Sequence, residues 1–487
     1  MLIKCFMKKK TFPLIGLCLL LFLQSCSKDR DDELILASTL EINNFIYSAM
    51  NIFYLYKPDV PVLANDFFDT QNDLNTYLNR FNTPEDLYDA LLSSQDRFSF
   101  MTDDYRELEN SFAGVSKDNG LEYRLVRYAS GSNEIFGYVR YIVPNSNAST
   151  KMIKRGDAFT EVNGTPLTVS NYIELLAQDT YTLTLADITR NGASTSIIAN
   201  GSTVTLTKEE GLVENPVYIA KTLTVEGQKI GYLMYNSFTA DFDDELNAAF
   251  AQFKTDGITD LVLDLRYNGG GSVDSAIDLT SMITGQFNGE IITKQQYNPE
   301  LQAAFQTSRP DDLIDRFNNT IRTGESINSL NLTRLFVIGT GSTASASELT
   351  IIGLKPYIEV KTIGTTTVGK FQASTTLYDS ENFRRQDVNP NHFYAIQPLI
   401  YTYSNAAGVV GPPSGITPNF EIAEDLSNLG TLGNTEEPLL KAALDQVLGR
   451  RYSTKKYEGF EEPETVGESK MFSPTYQRMY DFDLPGL

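Results

Sequence analysis

One histidine, His392, occurs in 487 residues, and the three cysteines, Cys5, Cys18 and Cys26, all fall near the N-terminus. Zinc sites of the usual nitrogen and sulfur type need several such ligands, so none is expected. The chain beyond Cys26 can form no internal disulfide. No EF-hand pattern is present, and no metal or cofactor is implied. Positive charge is also scarce: 40 lysines and arginines stand against 62 acids, a net charge of −22. That balance repels nucleic acid and argues against a nucleic-acid partner. The phosphate-cradling patterns Gly-Lys-Ser/Thr and Gly-x-Gly-x-x-Gly are missing, so a nucleotide site is not expected either. What is present is ordinary for a globular chain, with 41% hydrophobic residues and a length suited to two or three domains.

The N-terminus carries Lys8, Lys9 and Lys10, an apolar run over 14–23, and then Gln24-Ser25-Cys26. The run is shorter than the roughly 20 residues a spanning helix needs, and the order reads as an export signal. Leu23-Gln24-Ser25-Cys26 resembles a bacterial lipobox. This implies a signal peptide over 1–25, a lipidated Cys26, a polar tether over 26–33, and anchoring in the bacterial envelope, with the outer membrane expected. Facing the periplasm and facing the cell surface both stay open, as does an ordinary cleaved signal with an incidental cysteine.

The informative stretch is Leu335-Phe336-Val337-Ile338, then Gly339-Thr340-Gly341-Ser342-Thr343-Ala344-Ser345-Ala346-Ser347-Glu348-Leu349. It reads as a buried strand, a small-residue turn and the start of a helix. A hydroxyl on such a turn sits beside the unpaired N–H groups of a helix start, where a developing oxyanion is stabilised. A serine nucleophile needs a base, and with one histidine in the chain a neutral lysine is the other choice. Lys370, in Val368-Gly369-Lys370, is placed at the end of a segment expected to return as an adjacent strand. Ser342, Thr343 and Ser347 are expected as turn and cap groups, and His392 on an exposed loop.

Ser-Ala-Ser-Glu followed at this distance by Gly-Lys resembles the C-terminal processing, or tail-specific, serine peptidases. The resemblance also covers Asp264-Leu265-Arg266-x-Asn268-x-Gly270-Gly271 and Gly415-Ile416-Thr417-Pro418-Asn419, the last with Asn in place of the family's Asp. It implies a Ser345–Lys370 dyad, with an oxyanion hole from the N–H groups of Ala346 and Gly271, Gly270 being the neighbouring candidate. Family members carry Gln or Glu four residues after the lysine; here that position is Ser374. Gln372 or Ser374 is therefore the candidate for orienting the amine. Lysine titrates near ~10.4, and half-neutral at pH 7 means a fall of roughly 3, worth ~4 kcal/mol. Burial can supply this.

In chain order, residues 34–112 show helical periodicity, with Thr83-Pro84-Glu85-Asp86 as a helix start. Residues 113–208 show short alternating strands and an Asn163-Gly164 hairpin, and resemble a PDZ domain closed by a strand at Tyr181–Ile188. PDZ domains add peptides as a strand and hold the terminal carboxylate on loop N–H groups; Gly120 and Leu121 are the candidate loop, a plain hairpin turn being the alternative. Residues 213–449 alternate strands and helices, implying a Clp/crotonase-like α/β peptidase core. Residues 450–487 are expected as a surface-packed or partly disordered extension. The fold class expected is thus multidomain α/β: helical segment, PDZ-like β-rich domain and α/β core. The function implied is endopeptidase action on extended polypeptides, selected by their C-termini. A catalytically weak peptide-binding lipoprotein and a crotonase-like acyl-thioester enzyme are the alternatives.

Overall fold

The computed structural model describes residues 36–191, 194–450 and 463–482. The leader with Cys26, the tether, and residues 451–462 and 483–487 lie outside the described residues. Among the described residues, no helix is long and apolar enough to cross a membrane.

The N-terminal segment forms helices Thr39–Phe53, Gln71–Leu78, Pro84–Ala90 and Tyr105–Phe112. Ser38 and Glu41 form a reciprocal capping box at the start of the first, and Thr83 caps the third ahead of Pro84. Ile42, Phe45, Ile46, Met50 and Phe53 recur at helical spacing and are buried. They share one apolar cluster with Phe250 and Leu263 of the α/β core. The helical segment is therefore continuous in its core with the α/β unit, while residues 121–206 build a separate cluster.

The core is a six-stranded sheet in the order Val217–Val225, Gln228–Tyr235, Asp260–Asp264, Arg334–Gly339, Glu359–Gly364 and Phe420–Glu421. The first pair is antiparallel and the rest are parallel. Side chains alternate across a strand, so a strand covered on both faces reads as a continuous apolar run. Leu261 and Leu263 pack on one side with Leu335, Val337 and Leu246. Val262, Phe336 and Ile338 pack on the other, against Leu439, Leu440 and Leu444 of helix Pro438–Val447. Beneath that helix, Arg266 is fully buried and paired with Asp264 and Glu437.

The β-rich unit places Leu121–Arg127, Ile135–Ile142, Ala158–Val162, Thr180–Asn191 and Ser194–Thr207 side by side. Its interior is built from Leu121, Leu125, Val139, Phe159 and Leu183. Contrary to expectation, Thr180–Asn191 does not close the unit. It continues into a long hairpin with Ser194–Thr207, whose mostly exposed, Ser- and Thr-rich alternation gives little sign of burial. At the other edge, Leu121–Arg127 is covered by Thr465–Glu468 from the far end of the chain. The C-terminal region is thus not a surface extension over 463–482. Met479 and Tyr480 enter a second six-stranded sheet between Gly271–Ser272 and Gln372–Ser374, where they are 0% and 2% exposed. Burial of these apolar side chains offsets the cost of ordering the segment.

Candidate active site

Strand Arg334–Gly339 ends in a turn, and helix Ala346–Leu354 begins directly after Ser345. The turn is held by its small polar residues. Thr343 Oγ1 donates to Leu265 O (2.8 Å) and accepts from Thr340 N–H (2.8 Å). Ala344 N–H donates to Asn268 O (3.1 Å), and so does Ser347 Oγ (3.1 Å). These are the turn and cap roles expected of Thr343 and Ser347. Ser345 itself has φ +65° and ψ −116°. A non-glycine residue in this region costs of order 1–3 kcal/mol and persists only where neighbours over-determine it.

The Ser345 hydroxyl is completely buried and has no hydrogen-bond partner among the described residues. The same holds for the Lys370 amine. Lys370 lies not at a strand end, as expected, but in the loop between strands Glu359–Gly364 and Gln372–Ser374. The loop is pinned to the nucleophile turn, because Val368 N–H donates to Thr343 O (3.0 Å). Burial, reinforced by the nearby Arg478 guanidinium, holds the Lys370 amine well below the ordinary lysine value of 10.5. Asp96 and Glu348 oppose this without reversing it. The amine lies 5.4 Å from the centre of the Phe98 ring, so the N-terminal segment forms part of its cover.

Glu348 links the two halves of the site. Its Oε2 accepts from the backbone N–H groups of Ser345 (2.9 Å) and Lys370 (2.9 Å). Its Oε1 accepts from Gly369 N–H (2.8 Å) and from the Thr367 hydroxyl. A carboxylate offers about four acceptor positions, and all are used to tie the serine turn to the lysine loop. Sequence reasoning did not pick out Glu348. An acid in the first turn of a helix reads as a cap residue, and the signal available was its place three residues after Ser345.

The glycine turn after strand Asp260–Asp264 passes directly beside the serine. A Cβ on Gly270 would lie 2.6 Å from Ser345 Cβ, and Gly270 has φ +111°, so only glycine fits there. The Gly270 N–H is taken by Asn268 Oδ1 (2.9 Å), and Gly271 is paired with Met479 in the second sheet. Ala346 opens the helix, in the positions whose N–H groups lack intrahelical partners.

Three expectations need correction. Ser374 does not reach the lysine amine; its hydroxyl lies 3.3 Å from Gln397 Oε1 and 3.1 Å from Met479 O. Gln372 does not reach it either, since the amine has no hydrogen-bond partner among the described residues. Lys370 precedes the strand, so the even-spacing argument does not apply to it. The Gly120 and Leu121 N–H groups are not open to a carboxylate, because the Asp118 and Asn119 side chains already accept from them at 2.5 Å and 3.0 Å. This is the local hydrogen bonding of an Asx turn. His392 is 9% exposed rather than on an open loop. Its ring contacts Asp379 Oδ2 (2.9 Å) and accepts from Tyr394 N–H (3.0 Å).

Residues 229–420 match Peptidase family S41, and residues 41–100 match the Peptidase S41 N-terminal domain. Among curated proteins, the chain is 29% identical over 180 residues to the "Probable CtpA-like serine protease" of Staphylococcus aureus (strain COL). It is 26% identical over 184 residues to the protein of the same name in Staphylococcus epidermidis (strain ATCC 12228 / FDA PCI 1200). Both matches cover 36% of this chain, but only 33% and 34% of those relatives' lengths. A solved structure of a candidate S41 protease from Bacteroides fragilis NCTC 9343 superposes with TM-score 0.63 at 27% identity. That superposition covers 83% of this chain and 97% of the other. The chain carries the N-terminal domain and the α/β core of peptidase family S41.

Proposed function

We propose that the protein is a serine endopeptidase of the C-terminal processing type, with Ser345 as nucleophile and Lys370 as general base. The observation that carries this reading is a pair of buried side chains, a hydroxyl and an amine, with no hydrogen-bond partner among the described residues, on segments joined by the Glu348 carboxylate. A neutral amine can accept the Ser345 proton as Oγ bonds to the scissile carbonyl carbon. The tetrahedral oxyanion would be stabilised by the Ala346 and Gly271 N–H groups. Lys370 then passes its proton to the leaving amine as the C–N bond breaks. A water, deprotonated by the same amine, attacks the acyl-enzyme, and the carboxylate product leaves with Ser345 regenerated.

The substrates are extended or unfolded polypeptides, since a peptide bond must be threaded to a hydroxyl set between two sheets. The β-rich unit serves as a PDZ-like module that adds a strand at Leu121–Arg127. The leader reading places the protein on the bacterial envelope through lipid on Cys26.

The test is digestion of a disordered protein by wild type, Ser345→Ala and Lys370→Ala. Cleavage by wild type alone supports the dyad, and equal cleavage by all three refutes it. Peptide binding without cleavage by any form would instead make the protein an envelope peptide-holding module.

A further inference from the structure

The last described segment runs along both halves of the proposed peptide path. Thr465 to Glu468 pair antiparallel with Val126 to Arg124, as an added strand on the open edge of the β-rich sheet. Arg127 N–H extends the ladder by donating to Glu464 O (2.9 Å). The Glu468 side chain then enters a pocket made by Arg124, Arg140 and Ser342, whose exposures are 8%, 2% and 3%. Ser342 Oγ donates to the Glu468 carboxylate at 2.7 Å, Arg140 pairs with it directly, and Arg124 Nη2 lies 3.8 Å away. Both guanidiniums also donate to Ser342 Oγ, at 2.6 Å and 3.0 Å. Ser342 belongs to the turn that presents Ser345, so the carboxylate pocket spans the peptide-pairing sheet and the nucleophile turn.

Further on, the same segment crosses the nucleophile. Met479 and Tyr480 pair parallel with Gly271 and Ser272. The Arg478 carbonyl lies so close to Gly270 that a Cβ there would meet it at 2.7 Å, beside Ser345 Cβ at 2.6 Å. Asp481 N–H donates to Ser374 O (2.9 Å), closing the segment over the strand after Lys370. Beyond it a cleft of about 1040 Å³ opens, with Tyr480, Asp481 and Phe482 in its wall. With the segment in place, Ser345 and Lys370 are both 0% exposed, and no polypeptide can reach either.

We propose that residues 463–482 are an intramolecular occupant of this protein's own peptide site, and that their release opens a site selective for extended peptides carrying a carboxylate where Glu468 now sits. This rests on the peptidase reading for the meaning of the covered serine, but the binding site is defined by the strand edge and the two-arginine pocket alone. Buried guanidiniums favour a negative partner at this position: Arg140 pairs directly with Glu468, while its other carboxylate, Glu122, lies farther off at 3.9 Å. A peptide in trans must therefore match both the strand pairing and the charge to displace the segment. The resting enzyme is self-blocked and responds to acid-bearing extended chains.

The test locks the segment reversibly in the full chain. Val126→Cys and Thr465→Cys, which are Cα partners across the added strand, are introduced with Cys5, Cys18 and Cys26 replaced by serine. Two readouts are taken in oxidising and reducing buffer. They are binding of a fluorescein-labelled peptide with the sequence of residues 463–482, and hydrolysis of a disordered protein. Both should fall at least tenfold on oxidation and return on reduction, and the labelled peptide with Gln at the Glu468 position should bind at least tenfold more weakly. Equal binding in both buffers would overturn the proposal, as would failure of the bridge to form. A bridge forming only between two copies would overturn the intramolecular assignment. Redox-switched binding with no hydrolysis in either buffer would uphold the occupant and remove the peptidase reading instead.

Discussion

Replacing Glu348 with glutamine keeps its shape and removes half of its acceptor capacity. The carboxylate takes two bonds on Oε2, from Ser345 and Lys370 N–H, and two on Oε1, from Gly369 N–H and Thr367 Oγ1. A glutamine oriented to keep its oxygen toward Ser345 and Lys370 points an NH₂ group at the Gly369 N–H. That buried donor is then unsatisfied, at a cost of about 1–3 kcal/mol. The two bonds that survive lose their charge assistance, about 0.5–1 kcal/mol each, while relief of the buried charge returns part of this. The expected net is roughly 2–4 kcal/mol lower stability. Glu348 touches no substrate in this account, so its effect on catalysis runs through the position of Lys370. Steady-state assays with an internally quenched peptide should show kcat down by about 10–100-fold and KM changed by less than about threefold. Urea unfolding monitors the stability loss in parallel. A Glu348→Gln enzyme with unchanged kcat and stability would refute the idea that this carboxylate sets the serine–lysine geometry.

Lys370→Met should abolish hydrolysis yet raise stability at neutral pH, read by urea unfolding. In the wild type the unfolded chain binds a proton that the native amine, lowered by burial and then Arg478, releases earlier. Native stability therefore climbs as pH rises from the lowered value toward 10.5, and the methionine variant's advantage should shrink over that window. On the acid side, burial pushes Glu468 and Glu424 up, but Arg140 with Arg124, and Arg155 with Arg266, bring each to about 2 from 4.5. Each contributes roughly 3 kcal/mol that is fully present above 4.5 and lost as pH falls toward 2. Acid titration by near-UV circular dichroism should show tertiary structure loosening in that window. Arg266→Met strands the carboxylates of Asp264 and Glu437 and should cost about 3–5 kcal/mol in the same unfolding assay. Gly270→Ala combines an unfavourable φ with a Cβ 2.6 Å from Ser345 Cβ. It should cost about 2–5 kcal/mol and most of the activity.

Much of this was legible along the chain because it is local. The apolar run Leu261-Val262-Leu263 within strand Asp260–Asp264, the Thr83–Pro84 helix start and the small-residue turn before Ser345 each carry their structural reason within a few residues. What escaped depends on distant partners. Glu348 reads as a helix-start acid until the Lys370 loop folds back onto it. His392 sits in a Pro- and Asn-rich stretch that signals exposure, but the Asp379 carboxylate and Phe45 cover its ring. The polar composition of 463–482 suggested a surface tail, yet Glu468 finds buried arginines and Met479 finds a place between two strands of a sheet, all far away in sequence. Gly120 and Leu121 show the reverse case. A loop with the right outline was spent on its own Asp118 and Asn119 side chains.

Covalent capture reads whether an uncharged Lys370 activates Ser345. Wild type and Lys370→Met are treated at neutral pH with a small fluorophosphonate, which reacts with an activated serine hydroxyl, and adducts are located by mass spectrometry. One adduct, on Ser345, is expected in the wild type, with the rate falling at least a hundredfold in the methionine variant. An adduct forming on Ser345 at the same rate in both proteins would contradict that activation.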